Sequence, residues 1–261
     1  MIEKDREKVF RQGIEEGVYP RYLYEYWSFE SAKRFLETGK IKYSAFHEFN
    51  DPFEASFGLI GNATEEEKKM FLKTYLPDAL KDMTSGIIPF EDIKMYISKT
   101  IHDSLNCIGI FCLTQTNQDL LMWAHYAHEH EGVCLKFDLL QDTRAFSSLH
   151  KVVYSTEYLN FNLITDFSRV NDILVHKSVD WMYEKEYRVL KINEVGLGSV
   201  NPEALVEIVF GCRMNQANKE TIKSIIADNP NYKINFKQAG MHSNDYRILI
   251  CDEDDKSFFF K

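Results

Sequence analysis

The segment from Asp119 to Asp138 changes from a helical to an extended hydrophobic pattern. Apolar side chains first recur at helical spacing, at Leu120, Leu121 and Ala124. From Val133 onward they alternate with other residues, which is the pattern of a half-buried strand. The segment therefore predicts a short amphipathic helix that leads into a sheet strand, and the rest of the chain is interpreted around this unit.

The residues at the two ends of this predicted helix favour the same boundaries. The carboxylate of Asp119 can accept hydrogen bonds from the free amides of the first turn, and Gly132 occurs where a helix can end in a left-handed residue. Between them, Trp123, His125 and Tyr126 place three rings within about one turn. These rings either line a pocket or belong to a core helix with one satisfied histidine, and the tryptophan is expected to be mainly structural.

Hydrophobic periodicity in the remaining chain predicts an α+β fold with mixed, mainly antiparallel sheets. Strands are predicted near both ends of the chain and around residues 107–138, and helices form an insert at about residues 64–105. Because strands and helices do not alternate regularly, a parallel βαβ array is not indicated. The sequence shows no linker and no internal repeat, so we expect a single domain over residues 1–261.

Composition favours a soluble cytoplasmic protein. The chain has 261 residues, a formal net charge of −9 and five cysteines without a C-x-x-C pair. The acidic balance does not favour non-specific nucleic-acid binding, and the odd cysteine count predicts free thiols. No apolar signal region or membrane-spanning run occurs in the sequence, so we expect no membrane partner. Composition does not indicate an oligomeric state.

The segment Trp181–Ile192 carries the strongest chemical signal. If it is a strand, Glu184, Glu186 and Arg188 point to one face. Arg188 can pair with one carboxylate, which leaves the other with a perturbed pKa, suited to acid–base work or to stabilising a positive charge. The alternative is an edge strand with a solvated charged face. Trp181 itself is expected to be mainly structural.

The stretch HEFNDPFE forms a second polar cluster between predicted elements. Asp51 precedes Pro52, which favours an extended turn at that position. Asn50, Asp51 and Glu54 can present oxygen atoms to a ligand hydroxyl or a metal ion. The alternative is a plain turn in which these side chains bind their own backbone.

The histidines of the central segment do not form a zinc motif. His125 and His128 share a helix face, but His130 does not fit that face. No second pair of ligands has the spacing of a zinc site. We therefore expect no metal centre at these histidines.

Five segments, taken together, resemble a bacterial family known as domain of unknown function 2971. In chain order they are LYEYWSF at Leu23, YSAFHEFNDPFE at Tyr43, LLMWAHYAHEHEGVCLKFD at Leu120, KSVDWMYEKEYRVL at Lys177 and ALVEIVFGCR at Ala204. In the first segment, Glu25 and Trp27 stand where a basic residue is expected. The resemblance implies that the signature positions converge on one cleft: Asn50, Asp51, Glu54, Trp123, His125, Tyr126, His130, Glu184, Glu186 and Arg188.

A second resemblance concerns the order of elements, which is similar to that of the ADP-ribosyltransferase fold. An early aromatic strand is followed by a strand that ends in Ser44, and a late strand carries glutamates. The resemblance implies an ADP-ribosyltransferase or NAD glycohydrolase that takes NAD as substrate, of the kind found among bacterial toxins and phage-defence effectors. It implies that Glu186, in preference to Glu184, polarises the ribose and that Tyr126 stacks on the nicotinamide.

These patterns and resemblances define the residues expected at the site. The expected catalytic residues are Glu186, Glu184, Arg188 and His125. The expected substrate-binding residues are Asn50, Asp51, Glu54, Tyr24, Ser44, Trp123 and Tyr126.

Two other classes of function remain open from the sequence, and in each the partner is a small nucleotide or a macromolecular substrate. The first is a metal-dependent nuclease or phosphoesterase that holds magnesium between the carboxylates of the two polar clusters. The second is a non-catalytic domain that senses a small ligand. Consumption of NAD, a strict magnesium requirement, or a melting shift without turnover distinguishes the three classes.

Overall fold

The computed structural model describes residues 3–60, 93–162 and 167–253, with further helical positions at Glu66, Lys69, Met70, Lys73, Thr74, Pro77 and Lys81. The α-helices are α1 (Glu3–Glu15), α2 (Phe29–Thr38), α3 (Ile93–Leu105), α4 (Leu120–Tyr126) and α5 (Gln216–Ala227). Most of the helical insert predicted at 64–105 lies outside the described residues, apart from these positions and α3.

The strands follow the chain from β1 to β14. They are β1 (Tyr22–Trp27), β2 (Lys40–Tyr43), β3 (Phe57–Ile60), β4 (Ile108–Thr114), β5 (Val133–Asp138), β6 (Leu149–Lys151), β7 (Val153–Ser155), β8 (Leu159–Asn162), β9 (His176–Ser178), β10 (Glu186–Ile192), β11 (Gly196–Ser199), β12 (Leu205–Phe210), β13 (Asn235–Met241) and β14 (Ile248–Asp252).

One large sheet carries most of these strands, in the order β14-β13-β12-β5-β1-β4-β10-β6. Its neighbours run antiparallel except for β12 and β13, which run parallel. Three two-stranded ribbons pair β2 with β11, β3 with β8 and β7 with β9. The predicted α+β fold with a mixed, mainly antiparallel sheet is therefore confirmed.

Local capping signals fix several helix ends. The Ser28 side chain accepts from the amide of Ser31 at the start of α2, and Gly39 ends that helix with φ 65°. The Asp119 carboxylate accepts from the amides of Leu121 and Met122 at 2.9 and 3.1 Å. These bonds satisfy amides that have no partner within the helix, as the sequence predicted.

The end of α4 differs from the prediction. The helix stops at Tyr126, and His128–His130 then adopt positive φ angles between 46° and 71°. Gly132 is needed for a different reason, because a Cβ atom there would meet the carbonyl oxygen of Trp27 at 2.0 Å. Close approach of two backbones, and not a helix end, therefore requires this glycine.

The strand predicted over Trp181–Ile192 is wrong in its first half. Residues Val179–Glu184 form a 3-10 helix that the Ser178 side chain caps. Lys185 ends this helix with φ 47°, and β10 begins at Glu186. The alternation of rings and charges in this segment is typical of a strand, but the backbone of its first half follows the capped 3-10 helix.

Three buried hydrophobic clusters organise the interior. The largest lies between one face of the sheet and helices α2 and α5. The second includes residues of α3 and of the 3-10 helix Phe167–Val175, and the third includes residues of α4. Trp123 of the third cluster is fully buried, and its Nε1 donates to the carbonyl of Asn117 at 2.9 Å. Its predicted structural role is confirmed.

The cysteines form no disulfide. This holds for Cys107, Cys112, Cys134, Cys212 and Cys251, as the sequence predicted. In the described part of the chain, no helix combines the length and the apolar character that crossing a membrane requires.

Candidate active site

A cavity of about 160 Å³, called the inner cavity below, lies where the second and third hydrophobic clusters meet. Phe49 and Cys112 contribute to its wall from the second cluster. Tyr26, Met122 and Tyr126 contribute from the third. The helix–strand unit read from the sequence thus supplies one side of this cavity.

The inner cavity lies beside an opening in the large sheet. Within the described strands, β4 pairs with β1 only at Thr114 and Tyr24. Further along β4, Ile110 bridges Ser44 instead. Cys112 lies between these two contacts and lines the cavity. Tyr24 and Ser44, both expected to bind substrate, therefore serve sheet contacts and are not among the described residues that line the cavity.

Arg188 is the first of two cations at the inner cavity, and its side chain is fully buried. Its Nε and Nη2 atoms donate to the Glu186 carboxylate at 2.8 and 3.1 Å. Its Nη1 atom donates to the Glu54 carboxylate and to the carbonyl of Leu174. The guanidinium is therefore held between two carboxylates, as a buried charge requires.

Lys177 is the second cation. Its Nζ atom donates to Glu184 at 2.5 Å and to Glu186 at 3.2 Å, and it lies 4.9 Å from the ring centre of Trp181. Burial acts to lower the pKa of Lys177, but the charges of Glu186 and Glu184 outweigh burial and raise that pKa above its ordinary value. The ammonium group therefore stays charged at neutral pH.

Glu186 and Glu184 differ in their electrostatics. Burial disfavours the charged form of Glu186, but Arg188 and Lys177 outweigh it and lower its pKa to about 2. At Glu184 burial outweighs the attraction of Lys177, so its pKa is raised. The Tyr126 hydroxyl donates to Glu184 at 2.6 Å. Glu186 is therefore a fixed anion, and Glu184 is the carboxyl group suited to exchanging a proton.

Glu25 adds a further carboxyl group to the cavity wall. It accepts a hydrogen bond from the Trp27 ring nitrogen at 3.1 Å. Burial raises the pKa of Glu25 well above its ordinary value, and the charges of Glu186 and Glu184 raise it further. Together with Glu54, these glutamates place four carboxyl groups beside two cations, and the raised pKa of Glu25 favours its neutral form.

Left-handed backbone flanks this cluster at two non-glycine residues. Ala55 follows Glu54 with φ 55°, and Lys185 follows Glu184 with φ 47°. Each such residue costs roughly 1–2 kcal/mol relative to a right-handed conformation. Backbone strain of this kind is concentrated at functional sites, so its position supports a functional role for the inner cavity.

The inner cavity gathers only part of the predicted site. It brings together Asn50, Glu54, Tyr126, Glu184, Glu186 and Arg188. Asp51 instead accepts from the amide of Phe53 at 2.9 Å, as in the plain turn considered from the sequence. His125 is exposed, and its ring centre lies 6.2 Å from that of Tyr126. Among the described residues that line the cavity, Asp51 and His125 do not occur. The same is true of Trp123 and His130, so four of the ten signature residues are not among the described residues that line the cavity.

His130, another signature residue, packs beside the cavity wall. Its ring is parallel to that of the buried Trp123 at 6.4 Å. Burial and the charge of Arg213 lower the pKa of His130. These contacts give it a packing role next to α4.

Sequence reasoning missed Lys177 and Glu25. Lys177 stood within a family segment, but nothing in its spacing to Glu184 indicated contact. Its position depends on the pairing of β9 with β7, where Lys177 is opposite Tyr154. Glu25 carried a usable signal, because an isolated acid within a strand of rings is costly to bury unless it is protonated or paired.

The carboxylates of the cavity do not surround a vacant position suited to a metal. Glu54 and Glu186 contact Arg188, and Glu184 contacts Lys177. In residues 3–60, 93–162 and 167–253, no group of three or more His, Cys, Asp or Glu side chains is placed to hold a metal ion. The magnesium-dependent alternative therefore has no donor set among these residues.

Acidification is expected to weaken the fold through Glu186. Its pKa of about 2 lies below the ordinary 4.5, so its contribution to the free energy of unfolding is present above about pH 4.5 and is lost as pH falls toward 2. We expect Glu186→Gln to lack this part of the pH dependence. Chemical denaturation of both proteins between about pH 6 and about pH 2.5 measures the difference. If the free energy of unfolding fell equally with pH in the two proteins, the assignment would be contradicted.

Trp181→Ala is expected to lower the free energy of unfolding by about 1–2 kcal/mol. The ring is only partly buried and contacts the ammonium of Lys177 and the ring of Tyr183. A fully buried aromatic side chain would cost about 3–5 kcal/mol, whereas a cation–π contact contributes about 0.5–2 kcal/mol. Urea denaturation measures the loss, and Trp181→Phe is the control that keeps a ring. A loss above about 3 kcal/mol would show that the indole is a core residue.

Comparison with known proteins finds a family model that matches part of the chain. Residues 122–189 match the family model described as protein of unknown function (DUF2971). The matched stretch contains Tyr126, Lys177, Glu184, Glu186 and Arg188, and it confirms the family resemblance. No curated protein and no solved structure matches the chain.

Proposed function

We propose that the chain is an NAD-using enzyme of ADP-ribosyltransferase type, which transfers ADP-ribose to an acceptor or hydrolyses NAD. One observation carries the proposal: four carboxyl groups face two cations around the ring-walled inner cavity. The nicotinamide ring of NAD is a planar cation, and aromatic faces and carboxylates both stabilise such a ring. The similarity of element order further supports this reaction type, and we propose that the chain acts in the bacterial cytoplasm as a toxin or phage-defence effector.

The size of the inner cavity supports binding of one ring and not of a whole dinucleotide. Sites for complete small-molecule ligands usually measure roughly 300–1,000 Å³. The inner cavity measures about 160 Å³. Nicotinamide is therefore the part of NAD that we assign to it, with the ribose at its opening.

The proposed reaction breaks the bond between the ribose C1′ atom and the nicotinamide nitrogen. The bonding electron pair leaves with nicotinamide, which becomes neutral, and positive charge develops on the ribose. Ionised Glu186 stabilises that charge electrostatically. Water or an acceptor hydroxyl then bonds to C1′, and its proton passes to Glu184. The raised pKa of Glu184 makes it a stronger base than an ordinary carboxylate.

This assignment keeps the role of Glu186 drawn from the sequence and adds a proton-transfer role for Glu184. Glu186 receives three hydrogen bonds from Arg188 and Lys177, so its charge is already held. Glu184 has the perturbed pKa and the hydroxyl partner of an acid–base group. We therefore assign proton transfer to Glu184 and charge stabilisation to Glu186.

Release of nicotinamide from NAD tests the proposal. The purified chain is incubated with NAD, and the products are separated by chromatography. We expect nicotinamide from the wild type and from Glu203→Gln, an exposed control on a separate 3-10 helix. We expect little from Glu184→Gln. A wild-type chain that neither binds millimolar NAD nor releases nicotinamide would overturn the proposal.

A non-catalytic ligand sensor is the second candidate. The observation that favours it is the mutual pairing of Arg188 with Glu54 and Glu186, which also suits a purely structural network. In that case NAD raises the melting temperature without nicotinamide release. The same incubation therefore separates the two candidates.

A further inference from the structure

A second cavity of about 530 Å³, called the outer cavity below, adjoins the inner one. Lys177 lines both cavities, so the two share a wall. The loop that supplies Asn50 and Glu54 to the inner cavity supplies Phe53 and Ser56 to the outer one. The two cavities are therefore neighbours, with Lys177 and the loop around Glu54 common to their walls.

The ribbon of β7 and β9 forms the partition between the cavities. Tyr154 is opposite Lys177 in this ribbon, and Ser155 is opposite Ser178. Since side chains alternate along strands, the two pairs face opposite sides. Tyr154 contacts Glu186, and Lys177 contacts Glu184. Three other residues of the ribbon line the outer cavity: Ser155, His176 and Ser178. One face of the ribbon therefore serves each cavity.

Two large rings in the outer cavity are turned toward solvent. Phe53 is 63% exposed and Tyr158 is 52% exposed. Both line the outer cavity together with the hydroxyl-bearing residues Ser56 and Thr156. Aromatic faces next to hydrogen-bonding groups suit a planar heteroaromatic ring.

We propose that the two cavities are compartments of one ligand site and that the outer cavity binds a purine base. The base packs against both rings, Phe53 and Tyr158, and its polar edge contacts the hydroxyls beside them. Two carboxylates, Glu157 and Asp180, line this cavity together with the cation of Lys177. Because Lys177 is already paired with Glu184 and Glu186, a neutral ring suits this cavity better than phosphate groups. The inference rests on the proposed function, in which that base is the adenine of NAD.

The volume of the outer cavity favours a small molecule over a macromolecular surface. At about 530 Å³ it falls within the roughly 300–1,000 Å³ of ligand sites. The inner cavity alone is too small for a dinucleotide, and the outer cavity supplies the missing space. Lys177, as the shared wall, then lies where the two halves of the ligand join.

Titration of the full chain with adenosine tests the inference directly. We expect saturable binding by calorimetry, and binding about fivefold weaker or more in Phe53→Ala and in Tyr158→Ala, because base–aromatic stacking is lost. Phe53→Trp keeps a ring and should retain binding. Tyr246→Ala is the matched control, since Tyr246 is 97% exposed and lines neither cavity among the described residues.

The same variants, assayed with NAD, separate this inference from the proposed function. A raised KM for NAD in both alanine variants supports the purine compartment. Adenosine binding that depends on the two rings, in a chain that releases no nicotinamide, overturns the proposed enzyme and supports the compartment. Nicotinamide release with no adenosine binding, or with binding unchanged in both alanine variants, overturns the compartment and leaves the enzyme standing.

Discussion

Replacing Arg188 with Met is expected to lower the free energy of unfolding by about 3–5 kcal/mol. The substitution keeps much of the side-chain volume but leaves two buried carboxylates, Glu54 and Glu186, without their guanidinium partner. Breaking a buried ion pair from one side has an effect of this size, because the remaining charge is uncompensated. For a chain of this length, we expect the melting temperature to fall by about 10 °C. Urea denaturation and calorimetry measure the two quantities.

Two control variants separate the effect of losing the buried Arg188 from the effect of losing any positive charge. Arg213→Met removes a guanidinium that is 56% exposed and lies 3.6 Å or more from its carboxylate partners, so the expected change is below about 1 kcal/mol. Arg188→Lys keeps the charge but loses the planar fork that binds Glu186 twice, so an intermediate loss is expected. If Arg188→Met were as stable as Arg213→Met, the cluster would not be a structural ion-pair network.

Replacing Glu184 with Gln is expected to reduce NAD turnover by about a hundredfold or more, with little change in stability. Glutamine keeps the shape and can still accept from Tyr126, but it cannot accept a proton from the nucleophile. Loss of one positioned electrostatic or acid–base group has an effect of this size. Because the raised pKa shows that the charged form is costly, removing the charge should preserve the melting temperature or raise it.

The comparison with Glu186→Gln gives this prediction its control. Loss of the Glu186 charge leaves Arg188 with Glu54 alone, so that variant should lose stability as well as activity. The pH dependence of turnover provides a second measurement. If Glu184 acts as the base, turnover should rise with pH through a pKa above that of an ordinary carboxyl group. A Glu184→Gln variant with wild-type turnover would contradict the assignment.

The fold was predictable where local interactions decide the backbone. The Ser28 side chain caps the start of α2, and Gly39 ends that helix in a left-handed conformation. The Asp119 side chain caps the start of α4. The errors occur where left-handed residues are not glycines, at His128–His130 and at Lys185. Their residue types do not specify that conformation, so tertiary contacts must stabilise it, and such contacts are not readable from local sequence.

The site was predictable where spacing along one strand decides contact. Glu186 and Arg188 are two residues apart on β10, and they bind each other as that spacing allows. Lys177 joins them through a ribbon whose other strand lies elsewhere in the chain, so no local pattern reveals it. Asp51 and His125 show the converse, because each adjoins a residue of the cavity wall without lining the cavity itself. The Asp51 carboxylate accepts from the amide of Phe53 within its own turn, and His125 is exposed.

The central position of β1 has a consequence for biosynthesis. β1 is the first strand to be made, yet it lies between β5 and β4 in the finished sheet. The ribosome adds about a hundred further residues before β5 exists, which takes on the order of ten seconds at typical rates of synthesis. Until β4 is made, both edges of this ring-rich strand lack their native partners and can pair with other chains. The nascent protein is therefore expected to depend on chaperones, and full-length chains released together at high concentration are expected to aggregate through this strand.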